Sequence, residues 1–126
     1  MKKMILLFSH ELTPAQKSDA EENLGVDEFI KLPKDLQSLW SNIPPELKEL
    51  DSYLEPIKEF IRDNIQKGDF ALIQGDFGAT CKIASFVKKL DIVAIYATTK
   101  RDVEEREIKG KIVKTSVFEH IRFRRF

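Results

Sequence analysis

The chain of 126 residues is long enough for one domain with a sizeable core, and we assign residues 1–126 to a single domain. A content of 42% hydrophobic and 33% charged residues is typical of a soluble globular protein, and no apolar stretch is long enough to cross a membrane. The net charge of zero is too low for a general duplex nucleic-acid surface, although residues 100–126 alone carry a balance of +4, which is compatible with a local anion site.

The N-terminal segment predicts a strand followed by a capped helix. Lys3–Phe8 is almost wholly apolar, as expected of a strand covered on both faces. Thr13 suits the N-cap of the next helix, Pro14 suits its first position, and Gln16 completes a capping box. Gly25 then suits the end of that helix.

Strands and helices alternate along the middle of the chain. We expect strands at 28–32, 70–74 and 91–96, a short helix at 35–40 and a long one at 47–65. Pro56 lies inside the long helical pattern and predicts a kink or two abutting helices. The alternation predicts an α/β fold, with a mostly parallel sheet flanked by helices.

A loop with two glycines follows the third predicted strand and leads into an amphipathic helix. Gly75 and Gly78 let the backbone turn sharply and approach a ligand closely, and the free N–H groups of the helix favour an anion. The alternative is a strand–helix turn that needs glycine only for its geometry. The G-x-x-G spacing matches neither the dinucleotide nor the Walker fingerprint.

The C-terminal segment predicts antiparallel strands. Residues 103–108 and 112–117 indicate a hairpin, and residues 118–126 alternate strictly, as an edge strand does. The alternation places Phe118, His120, Arg122 and Arg124 on one face, and Glu119, Ile121, Phe123 and Arg125 on the other. These arginines either deter aggregation at an edge or form a face near an anion.

Polar residues follow three of the predicted parallel strands. In chain order they are Ser9 and His10, then Gln74, Gly75 and Asp76, then Thr98, Thr99, Lys100 and Arg101. Because the carboxyl ends of parallel strands meet at one rim, hydroxyls, an imidazole, amide donors and two cations converge there. That set suits a phosphate ester. The alternative is structural: the hydroxyls cap turns, Asp76 caps a helix, and the two cations are solvated.

Other chemistries have little support in the sequence. His10 and His120 lie far apart in the sequence, Cys81 is the single cysteine, and no carboxylates have the spacing of metal ligands. We therefore expect neither a metal nor a cofactor. No G-x-S-x-G motif indicates a Ser-His-Asp hydrolase. The single cysteine excludes an internal disulfide and favours the reducing cytoplasm.

Four separated motifs, Ile5–Thr13, Ile73–Thr80, Tyr96–Arg101 and Phe118–Arg124, span the whole chain. Together they resemble a small Csx group of CRISPR-associated proteins, which are accessory proteins of type III CRISPR systems. The resemblance implies a CARF-like domain of Rossmann type that binds cyclic oligoadenylate as a homodimer. Some such proteins are ring nucleases, which cleave this second messenger and switch the antiviral response off.

The expected function is metal-independent cleavage of cyclic oligoadenylate, with cyclic tetra-adenylate as the expected ring. A ribose 2′-hydroxyl attacks the adjacent phosphorus and leaves a 2′,3′-cyclic phosphate. One alternative is a sensor or sponge that holds the messenger uncut, and another is an unrelated nucleotide-binding α/β protein. We assign catalysis to Ser9, His10, Lys100 and Arg101, with Thr99 and His120 able to take the same roles. Ligand binding is assigned to Gln74, Gly75, Asp76, Phe77, Gly78, Ala79, Thr80, Thr98, Thr99, His120 and Arg122.

Overall fold

A five-stranded mixed sheet with helices on both faces organises the computed structural model, which describes all residues, 1–126. The elements are β1 (Lys3–Leu7), α1 (Pro14–Leu24), β2 (Glu28–Lys31), α2 (Lys34–Ser41), α3 (Asp51–Asn64), β3 (Phe70–Ile73), α4 (Phe77–Lys89), β4 (Val93–Ile108) and β5 (Lys111–Arg125). The predicted α/β class is therefore confirmed. None of the helices is both long and apolar enough to cross a membrane.

The strand order is β2-β1-β3-β4-β5. The first four strands run parallel and β5 runs antiparallel to β4, so the sheet is mostly parallel, as predicted. The strand that follows β1 in the chain, β2, lies on one side of it, and the strand that follows β3, β4, lies on the opposite side of the sheet. The reversal point therefore lies between the carboxyl ends of β1 and β3.

The two faces of the sheet are covered unequally. Helices α2, α3 and α4 cover the face that carries Ile5, Leu7 and Ile73. Helix α1 alone packs on the opposite face, which carries Met4, Leu6 and Leu72. Ala20 is the one buried residue of α1. Since this residue is small, the helix packs close to the sheet, and its polar side chains beside Ala20 lie near the strands.

Helix boundaries follow local signals. Thr13 and Gln16 form the predicted capping box, with N–H···O distances of 3.2 and 2.9 Å, and Gly25 ends α1 at φ 69°. Helix α3 begins at Asp51, later than predicted, because the chain before it still turns, with the Leu47 amide donating to the carbonyl of Pro44. It continues as one helix through Pro56.

The C-terminal hairpin differs most from the prediction. The separate elements expected at 91–96, 103–117 and 118–126 form two long strands, because pairing with β5 continues along β4 from Ile95 to Ile108. Lys109 and Gly110, at φ 52° and 79°, form the two-residue turn, a geometry typical of type I′ hairpins. We call residues 99–119 the hairpin arm. The β4 strand extends about 40 Å past the point where β3 ends.

Candidate functional site

The carboxyl ends of β1 and β3 frame a cavity at the reversal point of the sheet. Such crevices are where open α/β sheets usually bind ligands. The backbone N–H of Gln74 donates a hydrogen bond to the carbonyl of Leu7 (2.9 Å), which fixes the start of the β3–α4 loop against the end of β1. The side-chain oxygen of Gln74 accepts a hydrogen bond from the Ala97 amide (3.2 Å). Gln74 therefore links all three strand ends.

We call this cavity the rim cavity; it encloses about 790 Å³. It is lined by Phe8, His10, Glu11, Thr13, Pro14, Ala15, Gln16, Gln74, Ala97, Thr99, Phe118, Glu119 and His120. Four residues assigned from the sequence meet here: His10, Gln74, Thr99 and His120. The start of α1 forms one wall and the base of the hairpin arm forms another. The lining contains two imidazoles and no Lys or Arg.

His120 is the most constrained polar group of the rim cavity. Its Nε2 lies 2.7 Å from Oδ2 of Asp19 on α1, and the two side chains are 5% and 17% exposed. Its Nδ1 is buried without a hydrogen-bond partner. The Phe123 ring lies 4.8 Å away, between centroids, and restrains the imidazole plane. His120 is thus positioned by a carboxylate on one nitrogen and left free on the other.

A β-bulge brings His120 to the α1 side of the sheet. Thr98 pairs with Arg122 whereas Thr99 pairs with His120, so Ile121 is an extra residue on β5. The strict alternation predicted for 118–126 is therefore wrong, because the extra residue resets the faces. His120 and Phe123, predicted on opposite faces, pack against each other.

Asp19 is the site residue that sequence reasoning missed. Desolvation raises its pKa, but hydrogen bonds from Asn23 and His120 and the charges of His120 and Arg122 together hold it below the ordinary value. The Asp19 carboxyl group is therefore fully ionised at neutral pH. No sequence signal indicated the pair, because its members lie 101 residues apart and Asp19 resembles any solvated helix residue.

The glycine loop does not line the rim cavity beyond Gln74. A Cβ on Gly75 would lie 3.1 Å from the indole of Trp40, whose Nε1 donates to the carbonyl of Gln74 (3.1 Å). Gly75 is thus explained by close packing, whereas a Cβ on Gly78 would make only ordinary contacts. Asp76 caps α4 by accepting from the Ala79 amide (3.0 Å), as its structural interpretation predicted.

The remaining loop residues also lie outside the cavity lining. Phe77 is 92% exposed and Ala79 is buried in the core formed with α2 and α3. The Thr80 hydroxyl is buried without a partner. The proposed ligand-binding role of Gly75–Thr80 therefore has no geometric support from the rim cavity.

Three of the four predicted catalytic residues, Ser9, Lys100 and Arg101, are absent from the lining of the rim cavity. The Ser9 hydroxyl lies 3.0 Å from the Ser41 hydroxyl. Ser9 lines a neighbouring cavity of about 460 Å³. His10 lines both cavities and stands between them. Lys100 pairs with Glu119 in the hairpin arm, and strand alternation directs its side chain to the face opposite that of Thr99 and Arg101.

Arg101 borders the rim cavity through an aromatic neighbour. Its guanidinium lies 5.9 Å from the ring centroid of Phe118, which lines the cavity, and it donates to the Ser116 hydroxyl (3.1 Å). Thr98, by contrast, donates its hydroxyl to the Arg122 carbonyl (2.8 Å) and so closes the bulge. Among the predicted cations, Arg101 is the one on the cavity face of the arm.

No group of three or more His, Cys, Asp or Glu side chains is placed to hold a metal ion. The side chains that line the rim cavity include two imidazoles, the side-chain amide of Gln74, the hydroxyl of Thr99 and an exposed aromatic ring. Such a set can move a proton, donate and accept hydrogen bonds, and stack on a base.

Comparison with known proteins identifies the family of this chain. Residues 2–124 match the model of the family described as "Uncharacterized protein MJ1673 family". The chain is 52% identical over 126 residues to "Uncharacterized protein MJ1673" of Methanocaldococcus jannaschii, covering 100% of this chain and 98% of that relative. No solved structure matches it. The protein therefore belongs to the MJ1673 family.

Proposed function

We propose that this protein is a CARF-like, Rossmann-type ring nuclease that binds cyclic oligoadenylate and cleaves it without a metal. The observation that carries the proposal is the rim cavity, where His10, Gln74, Thr99 and His120 converge at the reversal point of the sheet. The resemblance to the Csx group supports the ligand, and this convergence supports the site. Cleavage would end type III CRISPR signalling in the cytoplasm.

The shape and lining of the rim cavity suit part of a nucleotide ring. Its volume of about 790 Å³ falls within the usual range for ligand sites. Phe118, which is 66% exposed, offers a face on which an adenine can stack. The Gln74 amide and Thr99 hydroxyl can bind base edges or ribose. A ring of four nucleotides exceeds one such cavity, so a second copy is needed to hold the rest.

The hairpin arm supports a homodimer. Several of its apolar side chains are exposed: Val103, Ile108, Ile112, Val113, Val117 and Phe118. A two-stranded hairpin without further packing is marginally stable in water. We propose that the arm packs against a second copy. A two-fold dimer would then present two rim cavities to one ring of approximate rotational symmetry.

Cleavage would proceed by attack of a ribose 2′-hydroxyl on the neighbouring phosphorus. Holding the ring with these atoms in line supplies about 7–11 kcal/mol in the best intramolecular cases. An imidazole that moves the proton adds roughly 10²–10⁴-fold. Arg101, at the border of the cavity, is a candidate to stabilise charge on the phosphorane.

A sensor or sponge is the second candidate, and one observation favours it. The lining of the rim cavity contains no Lys or Arg, whereas it contains the acidic residue Glu11. A site that stabilises a phosphorane gains from cations, so this composition favours holding the ring over cutting it.

Incubation with radiolabelled cyclic tetra-adenylate in EDTA separates these functions. A ring nuclease yields linear products with 2′,3′-cyclic phosphate ends, and Thr99→Trp, which fills the cavity, abolishes them. Tight binding with no product over hours supports the sponge instead. Neither binding nor cleavage of cyclic tetra-adenylate, nor of the tri- and hexa-adenylate rings, would overturn both.

A further inference from the structure

The Asp19–His120 pair has the geometry of a positioned base. Asp19 on α1 holds His120 Nε2 at 2.7 Å, and Phe123 packs against the imidazole. We infer that His120 Nδ1 accepts the proton of the attacking 2′-hydroxyl and that Asp19 is the positioning residue that makes this nitrogen available. The inference rests on the proposed function and moves catalysis away from Ser9 and Lys100.

The carboxylate determines which ring nitrogen carries the proton. Asp19 is ionised at neutral pH, because the hydrogen bonds from Asn23 and His120 hold its pKa below the ordinary value despite desolvation. An ionised carboxylate only accepts hydrogen bonds, so Nε2 must be the protonated nitrogen. In the neutral imidazole, Nδ1 then carries the lone pair and is the basic atom.

The unpartnered nitrogen distinguishes this pair from a purely structural contact. A buried polar atom without a partner costs stability, so structural histidines normally bond both nitrogens. Nδ1 of His120 has no partner, although the side chain lines the rim cavity. The nitrogen is covered in the free protein, so the ligand must shift what covers it. Catalytic hydrogen bonds often form only in the complex.

Several charged groups surround the pair and enter any pH dependence. Arg122 on β5 lies near Asp19, and Glu119 precedes His120 on the same strand. His10 and Glu11 face the cavity from the β1–α1 loop. The pH profile therefore has to be compared between variants instead of being read from the wild type alone.

The proposed step is an isomerisation in which atoms and protons balance. The 2′-oxygen forms a bond to phosphorus while its proton passes to Nδ1 of His120. The bond from phosphorus to the 5′-oxygen breaks, and that oxygen takes a proton from water. His120 then returns its proton to solvent. The products are one 2′,3′-cyclic phosphate end and one 5′-hydroxyl end, with no net proton or water consumed.

Single-turnover cleavage of cyclic tetra-adenylate tests both residues. Asp19→Asn and His120→Gln should each lower the rate at least about 100-fold while ring affinity stays within about threefold, and the rising limb of the pH–rate profile should disappear in His120→Gln. Glu22→Gln removes the same charge from an exposed position on α1 and serves as the control. Wild-type rates in Asp19→Asn and His120→Gln would overturn the inference.

The tautomer of His120 gives a readout independent of turnover. Nitrogen-15 NMR of histidine-labelled protein should show His120 protonated on Nε2 in the wild type, with the proton moving toward Nδ1 in Asp19→Asn. A wild-type proton on Nδ1 would overturn the positioning role even if the ring is cleaved. If the wild-type protein fails to cleave the ring, the proposed function and the base role both fail, whatever the tautomer.

Discussion

At the scale of single residues, packing against Trp40 explains Gly75, where the sequence predicted a contact with a ligand. The sequence suggested that glycine lets the backbone approach a phosphate. The structure instead places the Trp40 indole 3.1 Å from where a Cβ would be. The indole also donates a hydrogen bond to the carbonyl of Gln74, so α2 and the β3–α4 loop meet at this glycine.

We expect Gly75→Val to lower the free energy of unfolding by about 1–3 kcal/mol, because the branched side chain overpacks against Trp40. Chemical denaturation followed by fluorescence of the single tryptophan measures it. Gly78→Ala, whose Cβ would make ordinary contacts within helix α4, is the control and should not lower stability, since alanine favours a helix more than glycine does. Unchanged stability in Gly75→Val would return this glycine to a role in ligand approach.

The Asp19 carboxylate should make stability depend on pH. Its pKa is lowered on folding, so its contribution is present above the ordinary value of about 3.9 and is lost as the pH falls through the lower folded-state pKa. Asp19→Asn should therefore lower Tm at pH 7, with a difference from the wild type that shrinks below about pH 4. Thermal unfolding by circular dichroism measures this, and a difference constant from pH 3 to 7 would contradict it.

At the scale of elements, the hairpin arm is the part of the fold least explained by the single chain. Val113 and Val117 are exposed and lie on the same face of β5. The strand pairing puts Asp102 opposite Val117 and Glu104 opposite Thr115. A lysine at either position of β5 can therefore pair with an acid across the arm without unfolding it.

Val117→Lys should raise the dissociation constant of the proposed dimer at least tenfold, about 1.4 kcal/mol, because it places a charge in an apolar contact. Thr115→Lys adds the same charge on the same face at a position that is already polar and should have little effect. Analytical ultracentrifugation at micromolar concentration compares them. Equal behaviour of the two variants, or a monomeric wild type, would remove the arm from the proposed interface.

The two cations of the arm that the sequence assigned to catalysis lie on opposite faces of it. Arg101 stacks on Phe118 at the border of the rim cavity, whereas Lys100 lies on the opposite face. Arg101→Ala should weaken binding of cyclic tetra-adenylate about tenfold, and Lys100→Ala should change it less than threefold. Fluorescence anisotropy with a labelled ring measures both. A larger loss from Lys100→Ala would show that the ring contacts the other face.

The parts of the fold that depend on nearby residues could be predicted from the sequence. Short continuous apolar stretches located β1 and β3, and the capping residues Thr13, Gln16 and Gly25 located α1. The length of β4 could not be predicted, because it depends on pairing with β5 rather than on a local stop signal. The Ile121 bulge and the Asp19–His120 contact were missed for the same reason.

At the scale of the whole molecule, topology explains why distant residues share one site. Strands β1, β3 and β4 deliver His10, Gln74 and Thr99 to one rim because they run parallel and adjacent. The antiparallel β5 returns His120 to the same rim from the far end of the chain. In the proposed function, one copy would supply a cavity for part of a ring, and two copies would enclose the whole ring.

The stoichiometry of ring binding tests this arrangement most directly. Calorimetric titration of cyclic tetra-adenylate should give saturable binding of one ring per two chains. Thr99→Trp, which fills the rim cavity, should abolish the binding heat, and Glu22→Trp, at an exposed position of α1 outside both the cavity lining and the arm, should retain it. One ring per chain, no saturable binding, or full binding by Thr99→Trp would contradict a ring shared between two rim cavities.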